Sequence, residues 1–122
     1  MVYANKASRK KGWGYRKKRN PKNRNYVRGR AREYRVIRRL LKEGAVWVVR
    51  SYASHGPIDI TAVFPDRVRL IQVKKEYLPP KERRELEGLA LSFSAQNIQV
   101  EVWLSKNGRF QIEVIKPPKS NR

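Results

Sequence analysis

Residues 57–75, with the sequence PIDITAVFPDRVRLIQVKK, predict two adjacent β-strands joined by a tight turn. Apolar and polar residues alternate over residues 57–64, as they do in a strand with one buried face. Pro65 and Asp66 form a turn signal, and the run over residues 67–75 is apolar enough for a second strand. This pair of strands predicts the start of a β-sheet.

The segments before this pair predict one helix and one more strand. Apolar residues recur at helical spacing over residues 27–43, and Gly44 is a helix stop signal. Residues 45–52, AVWVVRSY, are rich in Val and predict a buried strand. Upstream of the pair, the predicted order is therefore helix and then strand.

The segments after the pair predict a second helix and two further strands. Pro79 and Pro80 open a helix whose apolar stripe consists of Leu86, Leu89, Ala90 and Phe93. Residues 98–104 and 109–115 predict the last two strands, which are joined by a turn at residues 106–108. The chain is therefore predicted to be an α/β protein with the element order αβββαββ.

Composition narrows the classes of function. The chain has 122 residues, enough for one domain, and its 30 Lys and Arg against 10 Asp and Glu give a net charge of +20. Such a charge attracts polyanions, so nucleic acid is the expected partner. The absence of Cys excludes disulfides, thiolate zinc sites and Cys nucleophiles. No apolar run approaches the roughly 20 residues of a membrane span, and no signal-peptide apolar region is seen, so neither a membrane partner nor secretion is expected.

The positive charge is concentrated at the N-terminus. Residues 1–28 contain 11 Lys and Arg and no acid, without apolar periodicity, and predict a disordered basic arm ahead of a domain over residues 29–122. Trp13, Tyr15 and Tyr26 lie in this arm, where aromatic rings between cations can stack on unpaired bases. A tail that only improves solubility is the alternative.

Four polar residues stand out inside or beside apolar elements. Asp59 lies between Ile58 and Ile60, and Gln72 and Lys74 share one face of the next strand because side chains at i and i+2 point the same way. Glu33 lies near the core side of the first helix.

Oxygen atoms from an Asp, a Glu, a Gln and a backbone carbonyl suit a hard cation such as Mg²⁺, and a neighbouring Lys can stabilise charge on a phosphate. Taken singly, Glu33 can instead pair with an Arg on a solvated helix, and Gln72 and Lys74 can form the polar face of an edge strand.

The order Glu33, Pro57-Ile58-Asp59, Gln72-Val73-Lys74 resembles the signature of PD-(D/E)XK nucleases. Within that superfamily the sequence is most similar to archaeal-type Holliday junction resolvases, which also occur in viruses and phages. The resemblance is carried by GRARE (29–33), VVRSYASHGPIDITA (48–62) and LIQVKKE (70–76), and it extends over residues 29–115. It implies a restriction-endonuclease-like core, with a mixed five-stranded sheet flanked by two helices.

The resemblance also implies roles for individual residues. Glu33, Asp59 and Gln72, together with the Val73 carbonyl, would bind Mg²⁺, for which Mn²⁺ can substitute. Lys74 would assist the attacking water or the transition state, and Arg50 and Ser54 match residues that contribute to cleavage. The DNA-binding residues would be cations around this site: Arg28, Arg30, Arg32, Arg35, Arg50 and Lys75.

The implied substrate is four-way junction DNA, which a homodimer cuts by paired symmetric nicks. The apolar residues expected to form the dimer contact lie on the second helix and its neighbouring strands, with Phe93 and Trp103 as candidates. The implied location is the cytoplasm of a prokaryotic cell or of a virus-infected host.

Two departures from the family pattern bear on this interpretation. Gln72 stands where the family usually has Glu, which removes one negative charge from the site, and Tyr34 stands where resolvases often have Arg. His55 is interpreted as a loop residue near phosphate rather than as a general base. Two other functions stay open: another PD-(D/E)XK nuclease for nicking, repair or transposon-end cleavage, and a non-catalytic basic nucleic-acid-binding protein.

Overall fold

The computed structural model describes residues 2–4, 24–51 and 56–118. Within these ranges the chain forms, in order, β1 (Val2–Ala4), α1 (Arg24–Lys42), β2 (Trp47–Arg50), β3 (Ile60–Val63), β4 (Val68–Lys75), α2 (Pro80–Ser92), β5 (Ile98–Lys106) and β6 (Arg109–Ile115). No helix in the described part of the chain is long and apolar enough to cross a membrane.

The described strands form one mixed sheet in the order β1-β2-β3-β4-β5-β6. Neighbouring strands are antiparallel except for β4 and β5, which run parallel with Lys74 beside Leu104. Parallel neighbours need a crossover connection, and α2 supplies it. The C-terminal ends of β4 and β5 therefore lie at the same edge of the sheet as the start of β3.

The two helices cover opposite faces of the sheet. One core cluster joins α1 residues to the strands through Val36, Ile37, Leu40, Val48, Ile60, Ala62, Ile71 and Trp103. The other joins α2 to the opposite face through Leu78, Leu86, Ala90, Val100, Val102, Leu104 and Ile115. Because Val102 and Trp103 are consecutive in β5, their side chains enter different clusters, as strand geometry requires.

The predicted α/β fold with the order αβββαββ is confirmed, and the structure adds a short sixth strand. Val2–Ala4 pairs with β2, and α1 begins at Arg24 rather than Val27. Both ends of the segment that was predicted to be a disordered arm therefore carry regular backbone structure. Residues 5–23, with Trp13 and Tyr15, lie outside the described residues.

A buried ion-pair network lies on the α1 face of β4 and β5. The Arg69 guanidinium donates two hydrogen bonds to Glu101, at 2.7 and 2.9 Å, and a third to Glu43 at 3.0 Å. The Arg69 and Glu101 side chains are 7% and 1% exposed. Glu101 also accepts hydrogen bonds from Gln99 and from the Trp103 indole, so its oxygen atoms are fully used.

The position of Trp103 corrects one prediction. Its side chain is fully buried in the core beneath α1, so it cannot contact a second copy of the chain. Leu91 in α2 is an exposed apolar side chain on the other side of the sheet, at 55% exposure, whereas Val114 in β6, at 41% exposure, lies opposite Glu101 and therefore on the α1 face. Phe93 ends α2 and is half-buried, and its predicted role in a dimer stays a prediction.

Candidate active site

The Asp59 carboxylate lies at the edge of the sheet where β3 begins and β4 ends. Its Oδ2 atom accepts a hydrogen bond of 2.8 Å from the Val73 backbone N–H. Backbone hydrogen bonds hold this position from both sides, because the Asp59 N–H donates to the Ile71 carbonyl and the Ser51 N–H donates to the Asp59 carbonyl. These two hydrogen bonds continue the pairing of β2, β3 and β4, so the backbone of Asp59 is held in the sheet although β3 begins at Ile60.

Asp59, Gln72 and Lys74 line one groove, as the sequence predicted. The groove has a volume of about 490 Å³, and its other lining residues are Gly56, Pro57, Lys81, Glu82 and Glu85. Gln72 and Lys74 reach it from the same face of β4, because they are two residues apart in a strand. Gly56 has φ of 96°, a value that favours glycine, and so the backbone can turn into Pro57 at the rim.

Burial raises the pKa of the Asp59 carboxyl from 3.8 to about 6, and the Glu33 charge acts in the same direction. The Val73 N–H and the Lys74 and Arg50 charges oppose the increase without cancelling it. Near pH 7 the carboxylate is therefore mostly ionised, although it is less well solvated than an ordinary aspartate. A cation placed next to it would relieve this cost.

The Gln72 side chain presents an amide oxygen that is suited to such a cation. Its Oε1 atom is inaccessible to solvent and accepts no hydrogen bond from the described residues. Buried carbonyl oxygens usually have a partner, so the chemistry of this atom fits a hydrogen-bond donor or a cation. Among residues 24–51 and 56–118, no three carboxylates or imidazoles converge as a metal-binding group. One carboxylate and carbonyl oxygens suit Mg²⁺, which retains several water ligands.

Two acidic residues of the groove come from α2 and were not predicted as site residues. The Lys74 Nζ atom lies 2.7 Å from the Glu82 Oε1 atom, and Glu85 lines the groove one turn further along the helix. The sequence showed only that both acids lie near the N-terminus of a helix, where acids are favourable for the helix itself. The signal that could have identified them is the small number of acids in so basic a chain.

Glu33 and Arg50 approach the same edge from the α1 face of the sheet. The Arg50 Nε atom donates a hydrogen bond of 2.7 Å to Glu33 Oε1, and the two side chains are 10% and 21% exposed. Arg50 lies opposite Ile60 across the β2–β3 ladder, which places it on the face away from Gln72. Glu33 does not line the groove of Asp59, and its role as a metal ligand stays a prediction.

The predicted DNA-binding cations differ in their exposure, and Arg50 is the buried member of the set. Arg28 and Lys75 are exposed, and Arg30, Arg32 and Arg35 are partly exposed along α1. Arg35 donates a hydrogen bond of 3.0 Å to the Gly108 carbonyl and stacks on Phe110, so it joins α1 to the β5–β6 turn. Ser54 and His55 fall in residues 52–55, which lie outside the described part of the chain.

Comparisons with known proteins bear on the fold. No family model matches the sequence, and no curated protein matches it. Among solved structures, the chain is similar to Archaeoglobus fulgidus Hjc, a Holliday junction resolvase from an archaeal hyperthermophile, with a TM-score of 0.52 and 21% identity over 70% of this chain and 75% of that chain. The fold is resolvase-like. At this identity the likeness concerns the fold alone, and the functional argument depends on the groove.

Proposed function

We propose that this protein is a metal-dependent, structure-specific DNA endonuclease that resolves four-way junctions by paired symmetric nicks. The observation that carries the proposal is the groove in which the Asp59 carboxylate, the unpartnered Gln72 amide oxygen and the Lys74 ammonium converge. A carboxylate, an amide oxygen and a cation at one sheet edge suit hydrolysis of a phosphodiester. The resolvase-like fold and the net charge of +20 agree with a DNA substrate.

The metal ion would be Mg²⁺, with Mn²⁺ as a substitute, held by Asp59, Gln72 and the Val73 carbonyl, with Glu33 as a further ligand. Bound there, it would acidify water and polarise a phosphoryl oxygen. One Asp59 oxygen accepts a hydrogen bond from the Val73 N–H, which fixes the orientation of the carboxylate. Lys74 contributes positive charge where phosphate oxygens gain negative charge.

DNA affinity would come from the cations around the groove, together with the basic segment over residues 1–28. Contacts between these cations and phosphates do not depend on sequence, so they position the DNA without selecting a base. Two coordinated nicks need two sites, and the enzyme is therefore proposed to act as a homodimer with a two-fold interface. Leu91 in α2 and Phe93 at its C-terminal end are the apolar residues of the described chain proposed for that contact.

The decisive experiment compares three labelled DNAs, namely a four-way junction, a linear duplex and a single strand, over a titration of Mg²⁺. We expect paired nicks in junction strands of like polarity, no cleavage in EDTA, and little cleavage of the linear DNAs. Equal cleavage of linear duplex would instead favour another type of nuclease. Binding without cleavage in either Mg²⁺ or Mn²⁺ would favour a non-catalytic DNA-binding protein.

Changes at Gln72 test its proposed role as a ligand. Gln72→Glu adds a charged ligand and is expected to preserve or raise the cleavage rate at low Mg²⁺. Gln72→Ala removes the ligating oxygen and is expected to lower the rate by roughly tenfold or more, with partial recovery at high Mg²⁺. The measurement is the single-turnover rate across a metal titration. Superimposable titrations for the wild type and the Ala variant would show that Gln72 does not bind the metal.

A further inference from the structure

The Lys74 ammonium has an acidic partner from a different element of the fold. Its Nζ atom lies 2.7 Å from Glu82 Oε1 in the first turn of α2, and the side chains are 28% and 32% exposed. The oxygen is inaccessible to solvent and makes no hydrogen bond of standard geometry. The contact is therefore an attraction between two full charges, which is stronger where water is partly excluded.

We propose that Glu82 is a positioning residue that holds the Lys74 ammonium in the groove beside Asp59. The proposal rests on the proposed nuclease function and names a residue that the sequence pattern leaves without a role. A lysine has a flexible four-carbon stem, so a partly exposed ammonium without a partner spreads over many rotamers. The Glu82 carboxylate restricts Lys74 to those rotamers that place its charge in the groove.

The backbone of Glu82 is well placed to serve as an anchor. Leu86, one helical turn further along α2, is fully buried against the sheet, and Leu78 just before the helix is also buried. Side chains at i and i+4 lie on the same side of a helix, so packing of Leu86 directs Glu82 toward the sheet as well. The anchor is thus fixed by the hydrophobic core rather than by a loop.

Pairing with Glu82 also leaves Asp59 available for a cation. Asp59 directs one oxygen at the Val73 N–H, and the described residues contain no ion pair between Asp59 and Lys74. A direct ion pair between Asp59 and Lys74 would neutralise the carboxylate that is proposed to bind the cation. Gln72 is neutral and cannot form an ion pair with Lys74. Glu82 supplies a second acid in the groove, so Lys74 can lie near Asp59 without pairing with it.

Kinetics of two matched variants test this role. Glu82→Gln removes the charge with little change in shape, and Glu85→Gln makes the same change one turn away in the same groove, where no ion pair with Lys74 is present. We expect Glu82→Gln to lower the single-turnover rate on saturating junction DNA by about 10- to 100-fold. Both variants should bind junction DNA with the same affinity, and Glu82→Asp should recover most of the rate because the lysine stem can follow the shorter acid. Equal rates for Glu82→Gln and Glu85→Gln would overturn the proposal.

A readout that does not depend on cleavage separates this proposal from the proposed function. In ¹H–¹⁵N spectra of lysine ammonium groups, Lys74, assigned with Lys74→Arg, is expected to give a resolved signal in the wild type and in Glu85→Gln. The signal should disappear in Glu82→Gln. If the wild type cuts no DNA but shows this pattern, the nuclease assignment fails and the anchoring of Lys74 stands. If the Lys74 signal is unchanged in Glu82→Gln, Glu82 is not its anchor, whatever the activity.

Discussion

Asp59→Asn is expected to abolish cleavage and, in the absence of metal, to stabilise the folded protein. The variant loses the carboxylate proposed to bind the cation, so the rate should fall by about a thousandfold or more. Junction affinity should stay nearly unchanged, because it depends on contacts between cations and phosphates rather than on Asp59. Asn keeps an oxygen that can accept the Val73 hydrogen bond, so the backbone has no reason to move.

The expected stabilisation follows from the raised pKa of Asp59. The carboxyl binds a proton near pH 6 in the folded protein and near 3.8 in the unfolded chain, so between these values the folded state holds more protons. The contribution of this group to the free energy of unfolding therefore falls as the pH rises from about 4 to about 6. Above pH 6 the ionised carboxylate costs about 3 kcal/mol, which Asn does not incur.

Chemical denaturation in EDTA at pH 4 and pH 7 measures this effect. The variant and the wild type should be close in stability at pH 4, and the variant should be more stable at pH 7. Asp66→Asn is the control, because Asp66 lies in the exposed β3–β4 turn with a side chain 71% exposed. Addition of Mg²⁺ should stabilise the wild type but not Asp59→Asn. An Asn variant that cleaves at the wild-type rate would show that the active site is elsewhere.

Arg69→Ala is expected to cost about 3–5 kcal/mol of stability, because it leaves the Glu101 charge buried without its guanidinium partner. Glu101 is inaccessible to solvent and cannot recover hydration. The variant also loses the stacking of Arg69 on Phe64 and Trp103, whose ring centres lie 5.2 and 5.8 Å from the guanidinium carbon. The loss should be visible as a large decrease in the denaturation midpoint.

Arg67→Ala provides the matched comparison for this effect. Arg67 also pairs with an acid, Asp66, and also stacks on Phe64, but its side chain is 36% exposed. Its removal should cost no more than about 1 kcal/mol. Replacing both Arg69 and Glu101 by apolar residues should recover part of the loss, because no unpaired charge then remains in the core. Similar losses in the free energy of unfolding for Arg67→Ala and Arg69→Ala would show that burial of the ion-pair network does not determine its contribution to stability.

The sequence predicted the helices and the five longer strands well, because alternation and helical periodicity are local properties of the chain. It did not reveal β1, since three residues carry no measurable alternation and their pairing depends on the exposed edge of β2. The prediction that Trp103 contacts a second copy of the chain was wrong for a related reason. Helices cover β5 on both faces, so both of its sides are apolar and the pattern does not show which residues face outward.

For the site, the sequence predicted the residues whose relation is set by strand geometry. Asp59, Gln72 and Lys74 lie together because two adjacent strands and a spacing of two residues place them there. The contact between Glu82 and Lys74 depends on how α2 packs on the sheet, which no local pattern contains. Arg69 and Glu101 both fall within predicted strands, but sequence alone does not show that these two opposite charges are buried together.

The groove is built almost entirely from one continuous part of the chain. Its lining residues all fall within residues 56–85, which run from the rim through β3 and β4 into the first turns of α2. Contacts between residues close in sequence form early and cost little loop-closure entropy. The groove is therefore a local unit of the fold: among the described residues, neither α1 nor the β5–β6 hairpin supplies a residue to its lining.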